Sequence, residues 1–172
     1  MLHPYLESGV AVERQQQILD CIRANPLGSY VLSGPPGVGK TTLMREVECV
    51  ARAACPKNFA IYFKTAAQYQ RETTAAARGD YVPGLIKPEV LADSNHGIRW
   101  GAYLDDVDKI SGSEFIRLQL FDLISAVCEE RTPETQLVMS TNMNKAEFKK
   151  FFGDHIEWRV FKKCRWVAIE RQ

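Results

Sequence analysis

Residues 34–41 read Gly34-Pro35-Pro36-Gly37-Val38-Gly39-Lys40-Thr41, between a short apolar run (Ser29 to Leu32) and a helical pattern from about Thr41 to Ala54. The spacing is that of a phosphate-binding loop, G-x-x-x-x-G-K-[ST]. Its glycines let the backbone curl until successive amides point at phosphate oxygens. The helix opening at Lys40-Thr41 adds the positive end of its dipole. In this pattern Lys40 reaches the β- and γ-phosphates of a nucleotide and the Thr41 hydroxyl ligates Mg²⁺, with Thr42 closing the lining. A chance glycine-rich turn does not account for Lys and Thr following at once, after a strand and before a helix.

Such a loop needs a carboxylate at the end of a neighbouring strand. Trp100-Gly101-Ala102-Tyr103-Leu104 reads as that strand and delivers Asp105 and Asp106. Asp105 is the expected residue of the magnesium shell, and Asp106 the expected polariser of the attacking water. An EF-hand starting at Asp106 fails, because Ile110 and Ser111 stand where an oxygen ligand and a glycine are required. A third element is the polar tip of the strand Gln136 to Met139, in Ser140-Thr141-Asn142. Asn142, with Thr141 as the alternative, is expected to sense the γ-phosphate. A fourth is Arg159, a cation placed to stabilise the transferring phosphate of a neighbouring subunit; a plain surface arginine fits the same spacing.

The rest of the chain alternates helix and strand. Val10, Ile18, Leu19 and Ile22 suggest a first helix ending near Asn25-Pro26-Leu27-Gly28. Phe59 to Lys64 reads as a buried strand, Thr65 to Arg78 as a helix closed by Gly79, and Tyr81 to Gly97 as a loop with one short helical piece. Ser113 to Glu130 has helical period through Phe115, Leu118, Phe121, Ile124 and Cys128. Asn144 and Glu147 make a capping box for a helix from Lys145 to Phe152. A short helix over Ile156 to Phe161 precedes a last strand, Trp166 to Glu170. Strands separated by helices predict an α/β fold, a parallel sheet with helices on both faces.

Bulk properties exclude more than they identify. The chain has 172 residues, 45% hydrophobic and 25% charged, with a net charge of +1. These values suit one compact soluble domain. Residues 145–172 carry eight basic and four acidic side chains, +4, which leaves 1–144 at −3. A basic tail suits nucleic acid, an acidic neighbouring subunit or simple solvation. Five scattered cysteines without C-x-x-C spacing argue for free thiols in the cytoplasm rather than zinc or disulfides. No signal peptide or membrane-spanning stretch is expected.

Together these elements resemble the AAA+ ATPases, and within them the DnaC/IstB-type helicase loaders and transposition helpers. The likeness runs over residues 10 to 169 and is strongest from Met139 to Arg159. The resemblance implies a three-layer P-loop NTPase fold (the AAA+/ASCE type) with a five-stranded parallel sheet in the order 5-1-4-3-2. It also implies ATP and Mg²⁺ as cofactors, ATP hydrolysis, and assembly on DNA. Lys40 and Thr41 then fall in Walker A, Asp105 and Asp106 in Walker B, Asn142 at sensor 1 and Arg159 at the arginine finger, acting across a homo-oligomer interface. The expected organisation is one AAA+ domain over 1–172, with 1–9 a short N-terminal segment and no separate lid or sensor 2 domain; Arg171 falls too early for that last role. Family members contact single-stranded DNA near the second strand, which points to Lys64, Tyr69 and Arg71, aromatic and cationic groups suited to bases and phosphates, although packing under its own helix fits Tyr69 equally. A replicative helicase or a transposase is the implied client. Two rival functions are a P-loop small-molecule kinase and a nucleotide-dependent interaction module with little hydrolysis. The stretch Gly79 to Gly97 argues against the kinase, whose lid usually bears several arginines. The shorter Asp106, where many such ATPases carry Glu, keeps the module open.

Overall fold

The central strands are continuous apolar runs, as buried parallel strands require. β1 (Ser29–Ser33), β2 (Phe59–Thr65), β3 (Arg99–Asp105), β4 (Gln136–Thr141) and β5 (Cys164–Ala168) form one five-stranded sheet, every neighbouring pair parallel, in the order β2-β3-β4-β1-β5. This is the expected order. The structure, a computed structural model, describes residues 12–83, 85, 98–110, 114–128 and 135–170. Val10, the segment 1–9, most of the loop expected between Tyr81 and Gly97, the outer ends of the helix expected over Ser113–Glu130, and Arg171 lie outside the described residues.

Alternating side chains divide the core into two layers. Tyr30 and Leu32 of β1, Tyr103, Val138 and Val167 face α1 (Val12–Ala24) and α2 (Lys40–Ala54). Val31, Ala102, Leu104, Leu137 and Met139 face α3 (Ala66–Ala77), α4 (Glu114–Cys128), α5 (Lys145–Phe152) and α6 (Asp154–Lys163). α2 buries Leu43, Met44, Val47 and Ala51 along one stripe, each large aliphatic side chain contributing about 1.5–3 kcal/mol. α3 begins in a capping box between Thr65 and Gln68, and α5 in the expected one between Asn144 and Glu147.

Two expectations need correction. The buried stripe of α4 is Ile116, Leu120, Leu123, Ile124 and Val127, whereas Phe115 and Leu118 are 48% and 50% exposed. Apolar residues also stand on the outer face of the helix, among Glu114, Asp122 and Ser125, so two stripes share the helical period and only packing selects one. The last strand begins at Cys164, opposite Ser29, two residues before the expected Trp166. α6 runs straight into β5 without a loop.

Gln136 ties the entry of β1 to the sheet. It is 1% exposed and its Nε2 donates to the carbonyls of Gly28 (2.7 Å) and Pro26 (3.2 Å). Its Oε1 accepts from the Tyr103 hydroxyl at 2.6 Å. Burial drives the Tyr103 pKa far above its ordinary value, so the phenol stays a donor. Tyr103→Phe leaves the Gln136 oxygen without this donor in a dry site, and the expected loss is about 1–3 kcal/mol. Urea denaturation of the two proteins measures it; coincident midpoints would show that the bond carries no stability.

Candidate functional site

The parallel order brings three strand ends to one edge, outside which ligands of open α/β sheets bind. Ser33 pairs in register with Thr141, and Thr65 with Asp105. The loop from Gly34 to Gly39 leaves β1 at this edge. Gly37 (φ 80°) and Gly39 (φ 84°) take left-handed conformations that disfavour a β-carbon. Gly34 is required by proximity instead, since a Cβ there would lie 2.3 Å from the Ile169 carbonyl oxygen. Val38 is buried and anchors the loop, while Pro35, Pro36 and Gly37 are exposed. α2 has no acidic residue of its own in its first turn, so the positive end of its dipole is not offset from within the helix.

Lys40 is 6% exposed, and its ammonium donates to the carbonyls of Gly34 (2.7 Å) and Pro35 (2.9 Å) and to Asn142 Oδ1 (2.8 Å). Burial pulls its pKa below the ordinary lysine value, against the opposing fields of Asp106, Asp108 and Asp105. The Thr41 hydroxyl donates to Asp105 Oδ2 at 2.8 Å. Asp105 is 4% exposed, and its other oxygen accepts from the Ser140 hydroxyl. Ser140 Oγ in turn accepts from the Asp106 amide at 2.8 Å. Thus the start of α2, the end of β3 and the tip of β4 share one carboxylate. Thr41 and Asp105 together offer hard oxygen ligands at the phosphate loop, the donor type Mg²⁺ takes with few protein groups.

The turn after β3 separates its carboxylates. Asp106, at φ 57°, is the one non-glycine residue with positive φ among the described residues. Its Oδ2 pairs with Lys109 at 2.6 Å, a bond that raises the lysine pKa. Asp108 turns the other way. It accepts from the Asn142 amide nitrogen at 2.9 Å and from Asn142 Nδ2 at 2.7 Å. Burial alone would raise its pKa, but the bonds from Asn142, its own backbone and Thr141 outweigh that and hold it below the usual value. Sequence reasoning missed Asp108, which has no motif of its own. The only available signal was a third acid on the turn facing the β4 tip.

Lys40, Thr41, Asp105, Asp106 and Asn142 therefore meet at one edge. Thr141 is fully buried, and its hydroxyl is engaged twice, accepting from the Met143 amide at 3.1 Å and donating to Asp108. Arg159 is half-buried on α6, close enough to Cys128 to oppose the rise in that thiol's pKa. Among the described residues it makes no hydrogen bond to the loop. The three residues expected at DNA do not share an exposed face. Tyr69 is 5% exposed and belongs to the core under α3, so its ring offers no face to a base. Its spacing with Ala66 and Thr73, also buried, is the stripe that marks it as core. Lys64 is bound to Glu72 at 2.7 Å, both side chains largely covered. Arg71 alone is exposed, beside Gln70, Thr74, Arg78 and Asp80 in a shallow groove along α3.

No protein-family profile matches the chain, and no curated protein sequence does. Solved structures match in fold. The DnaC helicase loader superposes with a TM-score of 0.69 at 15% identity, over 98% of this chain and 99% of that one. The replication initiator DnaA, solved with AMPPCP and single-stranded DNA, gives 0.66 at 16% identity, over 100% of this chain but only 52% of that one. DnaI gives 0.61 at 15% identity, over 98% and 95%. The chain thus has the three-layer P-loop architecture that the resemblance implied, shared with replication proteins. No helix among the described residues is long and apolar enough to cross a membrane.

The Asp108 clamp has a pH signature. Its folded-state pKa is lowered, so its contribution is fully present above the unfolded value of about 3.9 and fades as pH falls below it. The stability gap between the native protein and Asp108→Ala is expected to be largest near neutral pH and to shrink below about pH 4. Urea midpoints of both proteins across that range test this; a gap that stays constant or widens on acidification would remove the clamp as its source.

Proposed function

We propose that this chain binds MgATP and hydrolyses it as an AAA+ ATPase domain that serves DNA replication or transposition, in the manner of a helicase loader. The observation that carries the reading is the shared carboxylate: Thr41 of the phosphate loop and Ser140 of the β4 tip both bind Asp105. This joins at one point the parts that phosphoryl transfer to water requires. Loop amides and Lys40 receive the phosphates. Thr41 and Asp105 would hold Mg²⁺, which supplies charge neutralisation at the β- and γ-oxygens. Asp106 lies next in the chain to polarise water, and Asn142 touches Lys40 from the strand tip.

Arg159 is assigned to the site of a neighbouring copy, and a homo-oligomer follows from that assignment. A replicative helicase or transposase is the client the fold suggests, working inside the cell. For single-stranded DNA the exposed face of α3, with Arg71 and Arg78, replaces the earlier trio. Exposed cations track a phosphate backbone, whereas a buried tyrosine and a paired lysine do not.

The Asp106–Lys109 pair favours a second reading, a nucleotide-dependent module with slow hydrolysis. A carboxylate oxygen already accepting from an ammonium at 2.6 Å has less lone-pair capacity left to orient an attacking water.

Two experiments follow. Arg159→Ala is expected to bind MgATP yet fail to turn it over, and Lys40→Ala to lose tight binding. Mixed, they should recover turnover where the first supplies the loop and the second the arginine; an arginine finger is worth about 10³–10⁵ in rate. Absence of recovery in co-assembled mixtures would remove Arg159 from the neighbour's site, and unchanged MgATP affinity in folded Lys40→Ala would overturn the nucleotide assignment. Separately, Lys109→Ala is expected to raise steady-state ATP turnover severalfold if the pair restrains Asp106. Turnover that is unchanged or lower would show that the pair does not hold hydrolysis back.

A further inference from the structure

The Asn142 side chain has one orientation consistent with its neighbours. Asp108 is a carboxylate that only accepts, and the Lys40 ammonium only donates. The amide must therefore turn its NH₂ to Asp108 (2.7 Å) and its oxygen to Lys40 (2.8 Å). The reverse would set oxygen against oxygen and N–H against N–H. Asp108 also holds the Asn142 backbone nitrogen at 2.9 Å, so the residue is gripped at two points and cannot reverse its amide without losing one of them.

We propose that Asp108 is a positioning residue that sets the polarity of Asn142, making Asn142 an acceptor that competes with nucleotide phosphates for Lys40. Lys40 then rests among three acceptors, the carbonyls of Gly34 and Pro35 and Asn142 Oδ1, and phosphate oxygens must displace them. Release of Lys40 leaves the Asn142 oxygen without its donor. Nucleotide binding is thereby transmitted to the tip of β4 and, through Asp108, to the turn that carries Asp106. The proposal rests on the reading of residues 34–41 as an ATP site.

Asp108→Asn tests it with almost no change in shape. The new amide keeps its oxygen on the Asn142 backbone N–H and turns its NH₂ toward the Asn142 side chain. The Asn142 amide then reverses and offers N–H, not oxygen, to the region of Lys40 and the phosphates. The competitor is lost and a donor gained, and one hydrogen bond to a charged group corresponds to about a tenfold change in affinity. MgATP is therefore expected to bind Asp108→Asn about tenfold more tightly than the native protein. Since Asp108 acts through Asn142, the same substitution in an Asn142→Ala background should change affinity less than about twofold, the non-additivity expected of coupled residues. Equal effects in both backgrounds, or none in the native one, would overturn the proposal.

A second measurement separates the clamp from the nucleotide. The side-chain ¹⁵N–H₂ resonances of Asn142, assigned by comparison with Asn142→Ala and recorded without nucleotide, should shift in Asp108→Asn. Unmoved resonances would refute the clamp whatever the affinities do. A native chain that binds no MgATP would refute the ATP-site reading, while the resonances would still decide whether Asp108 orients Asn142.

Discussion

The buried carboxylate of Asp105 is the contact on which the site depends. A charged group at 4% exposure is tolerable only if hydrogen bonds replace the water it has lost. Here the replacements come from Thr41 at the start of α2 and Ser140 at the tip of β4. Any arrangement that satisfies Asp105 must bring the helix start and both strand ends together. The loop from Gly34 to Gly39 is thus pinned by a polar requirement as well as by the apolar packing of Val38 and Met44. Further ties close the same edge: Gly34 N–H to the Thr141 carbonyl at 3.2 Å, Ser33 Oγ to the Met143 carbonyl at 2.7 Å, and Ile169 N–H to the Ser33 carbonyl at 2.7 Å.

That edge exists because of strand order. β1 lies between β4 and β5, although β2 follows it in the chain. The loop leaving β1 therefore opens beside the ends of β4 and β5, with the end of β3 one strand further. The position of Ile169 explains why the first glycine of the loop admits no side chain, while Gly37 and Gly39 are set by backbone conformation. Glycines that look alike in the motif thus serve different needs, one spatial and two torsional.

What was legible in the sequence was local or strongly patterned. The Asn144–Glu147 capping box sits within a few residues and the helix–strand alternation repeats along the chain, and the structure bears both out; the loop at 34–41 and the acidic end of β3, equally local in the sequence, meet at one edge of the sheet. Long-range selection was harder to read. Two apolar stripes on α4 compete, and packing against α3, α6 and β4 decides between them. Tyr69 looked like a stacking platform beside cations, yet the Ala66–Tyr69–Thr73 spacing turns it inward. Asp108 and Asn142 are 34 residues apart. Only the adjacency of β3 and β4 makes them partners, and no local window contains that fact.

The short turn after β3 then does chemical sorting that composition alone cannot express. Asp105, Asp106 and Asp108 fall within four consecutive positions, and like charges so close would repel if they faced one point. Asp105, still in the strand, points to the phosphate loop. The left-handed conformation of Asp106 swings the chain, a strain that surrounding structure must support, and Ser140 supports it by accepting the Asp106 amide at 2.8 Å. One turn of 3₁₀ helix, Val107–Lys109, then returns Asp108 to the β4 tip and sends Lys109 back to Asp106. Each carboxylate acquires its own donors: hydroxyls for Asp105, an ammonium for Asp106, amides and the Thr141 hydroxyl for Asp108. The backbone of this turn, more than the identity of the acids, assigns their roles. Ser140 holds both the Asp105 carboxylate and the Asp106 amide, so a single hydroxyl at the end of β4 maintains that assignment.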